Sequence, residues 1–165
     1  MIIVEGLDGA GKSTLCEMLK QHNIVDQVLP SPRIPAKGNE QRMKYETDRY
    51  IRLYAPNNRI AIDRFLFSEM AYGPVLRNKN VFTRAEYLTH LLELMMAGSI
   101  VIFCMPEKLN FKSDENPEVI KNIDRLRNMY QILAEDCAVS NPRTIIYKWD
   151  SPNAFKELTT RIKGY

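Results

Sequence analysis

Residues 6–13 of this chain read Gly6-Leu7-Asp8-Gly9-Ala10-Gly11-Lys12-Ser13, a GxxxxGK[ST] octapeptide, and no other stretch so restricts the fold. Such a loop needs a buried strand before it and a helix after it, so that backbone N–H groups and the positive helix end face an anion. Both flanks are present. Met1-Ile2-Ile3-Val4 is short and β-branched, and from Ser13 to Asn23 the residues Leu15, Met18, Leu19 and His22 recur at helical spacing. Glycines in such a loop admit φ values closed to other residues and let the backbone approach phosphate oxygens. The pattern implies that Asp8, Gly9, Ala10, Gly11, Lys12, Ser13 and Thr14 wrap the phosphates of a nucleoside triphosphate. Lys12 would reach the β/γ-phosphates and the Ser13 hydroxyl would ligate Mg²⁺.

Apolar runs predict five buried strands, at Met1–Gly6, Ile24–Leu29, Arg59–Asp63, Ser99–Met105 and Thr144–Trp149. Helical periodicity lies between them, at Ser13–Asn23, Asn39–Tyr54, Ser68–Leu76, Arg84–Ala97, Pro117–Ala138 and Pro152–Lys163. The alternation predicts an α/β fold, a five-stranded parallel sheet between two helical layers. The 165 residues read as one domain, 45% hydrophobic and 26% charged, large enough to fold without disulfides. Cys16, Cys104 and Cys137 are far apart with no CxxC, which argues against a disulfide framework or zinc site and suits a reducing cytoplasm. The four apolar residues at the start are too few for a signal peptide or membrane anchor. A net charge of +3 suits small anionic substrates better than nucleic acid, and Lys108, Lys112, Lys121, Arg125 and Arg127 lack interleaved aromatics. In Arg84–Ala97, Leu88, Leu91, Leu92, Met95 and Met96 suit core packing, with a dimer seam as the alternative.

A second charged group closes the third strand. Asp63-Arg64-Phe65 follows Arg59-Ile60-Ala61-Ile62, and a carboxylate and guanidinium there are costly unless used. Asp63 would hold a Mg²⁺-bound water and Arg64 would fork onto phosphate oxygens; the competing reading is an Asp63–Arg64 ion pair capping the next helix. Arg33, in the stiff Leu29-Pro30-Ser31-Pro32-Arg33-Ile34-Pro35 stretch, stands at the carboxyl edge where α/β ligands bind. Tyr45 and Arg49, four residues apart, share a helix face and could sandwich a base, or be half-buried and solvated.

These residues resemble the thymidylate kinase family. Val4 to Thr14 is similar to its phosphate loop, including the acidic residue at the third position, Asp8. Asp63-Arg64-Phe65-Leu66-Phe67-Ser68-Glu69-Met70-Ala71-Tyr72 resembles its second motif, Tyr45-Glu46-Thr47-Asp48-Arg49 its base-facing helix, and Arg127-Asn128-Met129-Tyr130 the helix after its lid. The resemblance implies transfer of the γ-phosphate of ATP to a deoxynucleoside monophosphate, dTMP or a relative, with Mg²⁺. Arg33 and Arg64 would hold the acceptor phosphate, Tyr45 would stack on the base and Arg49 would reach its carbonyl. Asp8 would bond the 3′-hydroxyl, and Tyr72 would exclude a 2′-hydroxyl. A homodimer through helices is also implied.

Three departures bear on the substrate. The lid, residues 106–116, is short and carries Lys108 and Lys112 where the family supplies an arginine, so Lys112, Arg125 or Arg127 would take that place. Glu69 stands where a neutral side chain is common and would favour a base that donates hydrogen bonds. Gly73 would open space near the base. An acceptor phosphate is already anionic and needs no strong base; a kinase acting on a hydroxyl of a deoxynucleoside or a hydroxymethylated base in DNA would need one, from Asp63 or Glu69. A nucleotide-binding switch would need guanine-reading loops of the NKxD kind, which the sequence lacks.

Overall fold

The computed structural model describes residues 1–31, 40–57, 59–111 and 116–165. Its strands are β1 (Ile2–Gly6), β2 (Gln27–Pro30), β3 (Ile60–Asp63), β4 (Ile100–Cys104) and β5 (Thr144–Tyr147). The helices are α1 (Lys12–Gln21), α2 (Glu40–Tyr54), α3 (Leu66–Leu76), α4 (Arg84–Met96), α5 (Pro117–Lys121), α6 (Ile123–Ser140) and α7 (Ala154–Lys163). All neighbouring strands pair in parallel, in the order β2-β3-β1-β4-β5.

Strand order fixes the layers. From β1 the chain runs through α1 to the β2 edge, then reverses, so right-handed crossovers place α1 on one face and the helices between later strands on the other. Packing agrees: α2 meets α4, α4 and α3 meet α6, and α1 meets β1, β2 and β3. α7 returns to the α1 layer, where Phe155 tilts against His22 with ring centroids 4.9 Å apart. β1 and β4, central and covered on both sides, are buried at every residue. Cys16, Cys104 and Cys137 are buried free thiols; burial pushes Cys104 up to about 12 and Cys137 up to about 11. Among the described residues no helix is long and apolar enough to cross a membrane.

Two elements differ from their sequence reading by more than two residues. β2 begins three residues later than Ile24, because Ile24 and Val25 close the end of α1. Both backbone N–H groups donate to the Leu19 carbonyl, at 2.9 and 3.4 Å, after Asn23 turns the chain at φ 55°. The helix expected over Pro117–Ala138 is two: Asn122 leaves helical geometry (φ −107°, ψ 20°) and its side chain donates to the Glu118 carbonyl at 3.0 Å. In α4, Leu91 and Leu94 are buried, while Leu88, Leu92 and Met96, four apart, form an exposed stripe.

Candidate functional site

β1 delivers the glycine loop to the middle of the sheet's carboxyl edge, between β3 and β4, where the order of the strands reverses about β1. Gly11 caps α1 at φ 82°, and Gly9 stands at φ 75°, both in the left-handed region. Gly9 also lies against the chain after β4. A Cβ there would sit 2.8 Å from the Asn110 carbonyl oxygen, while Asn110 N–H donates to the Gly9 carbonyl at 2.9 Å. The buried Lys12 donates from Nζ to the Leu7 carbonyl, so its ammonium lies within the curl of the loop.

Register sets the opposite wall. Val4 pairs with Asp63, and Arg64 N–H extends that ladder to the Val4 carbonyl at 2.9 Å. Asp63 accepts from Ser13 Oγ at 2.6 Å, not from Arg64. Its other oxygen, Oδ1, is buried without a hydrogen-bond partner among the described residues. Arg64 stands at φ 74°, an uncommon conformation for a large side chain. Its guanidinium pairs with Asp8 and lies 5.8 Å from the Tyr72 ring centre. Tyr72 in turn donates to Asp8 Oδ2 at 2.8 Å. Asp8, Arg64 and Tyr72 thus form one cluster, and the Asp63–Arg64 ion pair is not made.

A buried carboxylate braces the start of α3 beside this cluster. Side chains alternate along β1, which turns Glu5 toward the α3 and α6 layer. Glu5 accepts from Phe65 N–H at 2.6 Å, Ser68 N–H at 3.2 Å, Ser68 Oγ at 2.8 Å and Tyr130 OH at 3.4 Å. Complete burial raises its pKa, against the opposing pull of those donors and of Arg64 and Lys12.

Between the walls opens a cavity of about 540 Å³, lined among others by Ser13, Asp63, Arg64, Glu69, Tyr72 and Arg77. Glu69 reaches it already paired with Arg77. The carboxylates along it are therefore engaged: Asp63 by Ser13, Glu69 by Arg77. Oxygen donors alone suit a hard cation, and the Ser13–Asp63 pair with its orphaned Oδ1 fits Mg²⁺, which completes its shell with waters and phosphate oxygens. Among the described residues no group of three or more His, Cys, Asp or Glu could form an all-protein cage.

The structure does not bring Tyr45 and Arg49 to this cavity. α2 buries Met43, Thr47 and Ile51, and Tyr45 and Arg49 each lie two residues, about 200°, from that face. Tyr45 is 64% exposed, and Arg49 pairs with Glu46 at 3.0 Å. Met43 lines the cavity instead. Gly73 does not open space: a Cβ there would meet the Lys79 carbonyl oxygen at 2.4 Å, so the glycine admits the turn after α3. Arg127 donates to the Glu107 carbonyl at 3.0 Å and lines a different cavity, beside Leu7, Tyr130 and Lys148. Arg125 reaches Asn122 Oδ1 at 3.2 Å. Arg33 and Lys112 lie outside the described residues.

A further cavity, of about 510 Å³, adjoins the loop on its α1 side. Gly11, Thr14, Asn110, Tyr147, Trp149 and Phe155 are among its walls. The Trp149 ring covers Gly11, where a Cβ would stand 3.1 Å from Cδ1, and its Nε1 is buried with no partner among the described residues. Sequence reading missed Arg77, Glu5 and Trp149. The only tryptophan of the chain, just past β5 at the carboxyl edge, was the available signal.

No family model and no curated protein sequence matches this chain. Solved structures do match its fold. One is the YorR protein of Bacillus subtilis in complex with phosphorylated GDP, at a TM-score of 0.67 and 18% identity, covering 98% of this chain and 95% of that one. The chain shares with that nucleotide-bound protein its α/β architecture over nearly the whole length of both.

Proposed function

We propose that this protein transfers the terminal phosphoryl group of ATP to the phosphate of a deoxynucleoside monophosphate. One observation carries the reading: Ser13, on the glycine loop, and Arg64, on the opposite wall, line one cavity, so two phosphate-binding groups face a shared space. The structural neighbour was solved with a phosphorylated nucleotide, which supports a nucleotide ligand for this architecture.

In this reading the ATP phosphates lie on the backbone of Gly9 to Thr14, with Lys12 turning from the Leu7 carbonyl onto the β/γ-phosphates. The donor base takes the cavity lined by Trp149, Tyr147 and Phe155, whose rings offer it apolar faces. Arg64 leaves Asp8 for the acceptor phosphate, and Tyr72 crowds the sugar where a 2′-hydroxyl would stand. An acceptor phosphate oxygen bonds to the γ-phosphorus, the bond to the β-phosphate bridging oxygen breaks, and ADP leaves. Mg²⁺ held at Ser13 and Asp63 would neutralise phosphate charge. The protein itself aligns the groups and supplies positive charge, the main requirements of phosphoryl transfer.

A hydroxyl acceptor would require Asp63 or Glu69 to act as a base, whereas a phosphate acceptor, already anionic, requires none. The test is [γ-³²P]ATP offered with each deoxynucleoside monophosphate and, separately, each deoxynucleoside. Labelled diphosphate formed only from monophosphates is the expected result. Label on a deoxynucleoside, or ATP consumption indifferent to acceptor, overturns the proposal.

A further inference from the structure

We propose that Glu69 and Arg77 read the acceptor's base and select guanine, making dGMP the preferred acceptor; this rests on the phosphoryl-transfer reading above. Glu69, Gly73 and Arg77 are spaced four apart, along one face of α3 and its carboxyl cap. The Arg77 side chain runs back past Gly73, where a Cβ would lie 3.6 Å from Nη2, in ordinary van der Waals contact. Its guanidinium reaches Glu69 and pairs with Oε2. Oε1 takes no hydrogen bond among the described residues, and Glu69 is mostly buried, its side chain 12% exposed. The cavity wall therefore presents an acceptor oxygen beside a guanidinium with N–H groups to spare.

That pair has a defined complement. Arginine only donates, so it requires a carbonyl or a bare ring nitrogen; the buried carboxylate only accepts, so it requires N–H. Guanine offers O6 to Arg77, N1–H to Glu69, and a second donor, the N2 amino group, on the carboxylate's far side. Thymine places its single N3–H between two carbonyls, one of which faces the carboxylate with nothing to donate. Adenine and cytosine offer a bare ring nitrogen to Arg77 and one amino group to Glu69, but lack the second, adjacent donor that guanine gives the carboxylate. A buried acceptor left without a donor is costly, which turns these differences into selectivity.

The test compares dGMP, dIMP and dTMP, because dIMP lacks only the N2 amino group of dGMP. Calorimetric binding and turnover with ATP are measured for the full chain and for Glu69→Gln. The unaltered protein is expected to favour dGMP over dIMP and over dTMP by roughly tenfold or more. In Glu69→Gln the dGMP/dIMP ratio should fall close to one. Each ratio is taken within one protein, so lost stability in the variant does not imitate the effect. Arg77→Met should weaken dGMP and dIMP equally, since both keep O6. Equal binding of dGMP and dIMP by the unaltered protein, or a ratio that survives Glu69→Gln, overturns the base reading. Preferential turnover of dTMP overturns it and leaves phosphoryl transfer standing. The expected binding pattern with no turnover does the reverse.

Discussion

Around the cavity, the Gly6–Ser13 loop and the Asp63–Arg77 segment are built by different means. The loop relies on backbone: left-handed glycines, N–H groups at the start of α1, and a lysine held by a main-chain carbonyl. The α3 side relies on side chains already paired with one another: Arg64 with Asp8, Tyr72 with Asp8, Glu69 with Arg77. Backbone donors are the same whatever base is attached to the phosphates, so the loop suits the constant part of a nucleotide. Paired charges are set by side-chain identity and, in the proposed reading, would be exchanged for ligand contacts on binding. That reading puts chemistry on the loop and selectivity on α3, and substitutions on each side should separate the two.

The largest effect belongs to the loop. Lys12→Ala should lower kcat about a thousandfold or more, the scale for deleting a preorganised charge aimed at a transferring group. Circular dichroism and thermal melting should show the fold retained, because alanine is the best helix former and keeps the backbone of α1. A variant with near-normal turnover would place the chemistry elsewhere. On the opposite wall, Arg64→Ala should raise the acceptor KM roughly tenfold to hundredfold through loss of charge-assisted hydrogen bonds, with the ATP KM little changed. Arg64→Gly should lose the same binding but melt higher than Arg64→Ala. At φ 74° glycine avoids a left-handed cost of roughly 1–2 kcal/mol. Equal melting of the two would deny the backbone strain, and a rise in ATP KM alone would move Arg64 to the donor side.

How far this division could be read from sequence depends on the range of the pattern. The glycine octapeptide is contiguous and flanked by a strand and a helix whose periods differ, so loop, β1 and α1 were all legible. Tyr45 and Arg49 show the limit of spacing arguments. Four residues apart fixes a shared face, but which face turns inward is decided by the rest of α2. There the inward stripe is Met43, Thr47 and Ile51, and a threonine in its middle blurs the signal. The Glu69–Arg77 pair spans eight residues and depends on a glycine between them, which reads as spare room until the Lys79 carbonyl is seen against it. β2 was displaced because Ile24 and Val25 are apolar for capping α1 rather than for pairing.

Glu5 joins β1 to the start of α3 and to α6, and its substitution tests how far the Arg64 wall depends on that support. Glu5→Ala leaves Phe65 N–H and the Ser68 and Tyr130 hydroxyls without their acceptor and should destabilise by about 2 kcal/mol. Glu5→Gln should do less, with its carbonyl on Phe65 N–H and its amide donating to hydroxyls that can turn to accept. The two proteins should also differ with pH. Burial raises the Glu5 pKa above 4.5, so the folded state holds the proton where the unfolded state has released it. Stability from this group is complete below pH 4.5 and is lost as pH rises through the folded value. Melting of Glu5→Gln, which cannot ionise, should therefore gain on the unaltered protein as pH rises across that interval. A constant difference would mean that Glu5 titrates normally.

The smallest effect sharpens the selectivity half of the comparison. Gly73→Ala adds one methyl group 2.4 Å from the Lys79 carbonyl oxygen, so the turn after α3 must move outward. Helix propensity favours alanine by roughly 1 kcal/mol, and the clash costs about 1–3 kcal/mol, so a net loss near 1 kcal/mol is expected. Arg77 donates its backbone N–H to the Gly73 carbonyl at 3.0 Å, as does Lys79 at 3.1 Å, so the displacement reaches the guanidinium directly. Discrimination among acceptor bases should weaken while the ATP KM and the Lys12-dependent chemistry hold. Were Gly73→Ala to lower kcat for every acceptor alike, the loop and α3 would be acting as one unit, and the separation between them would fail.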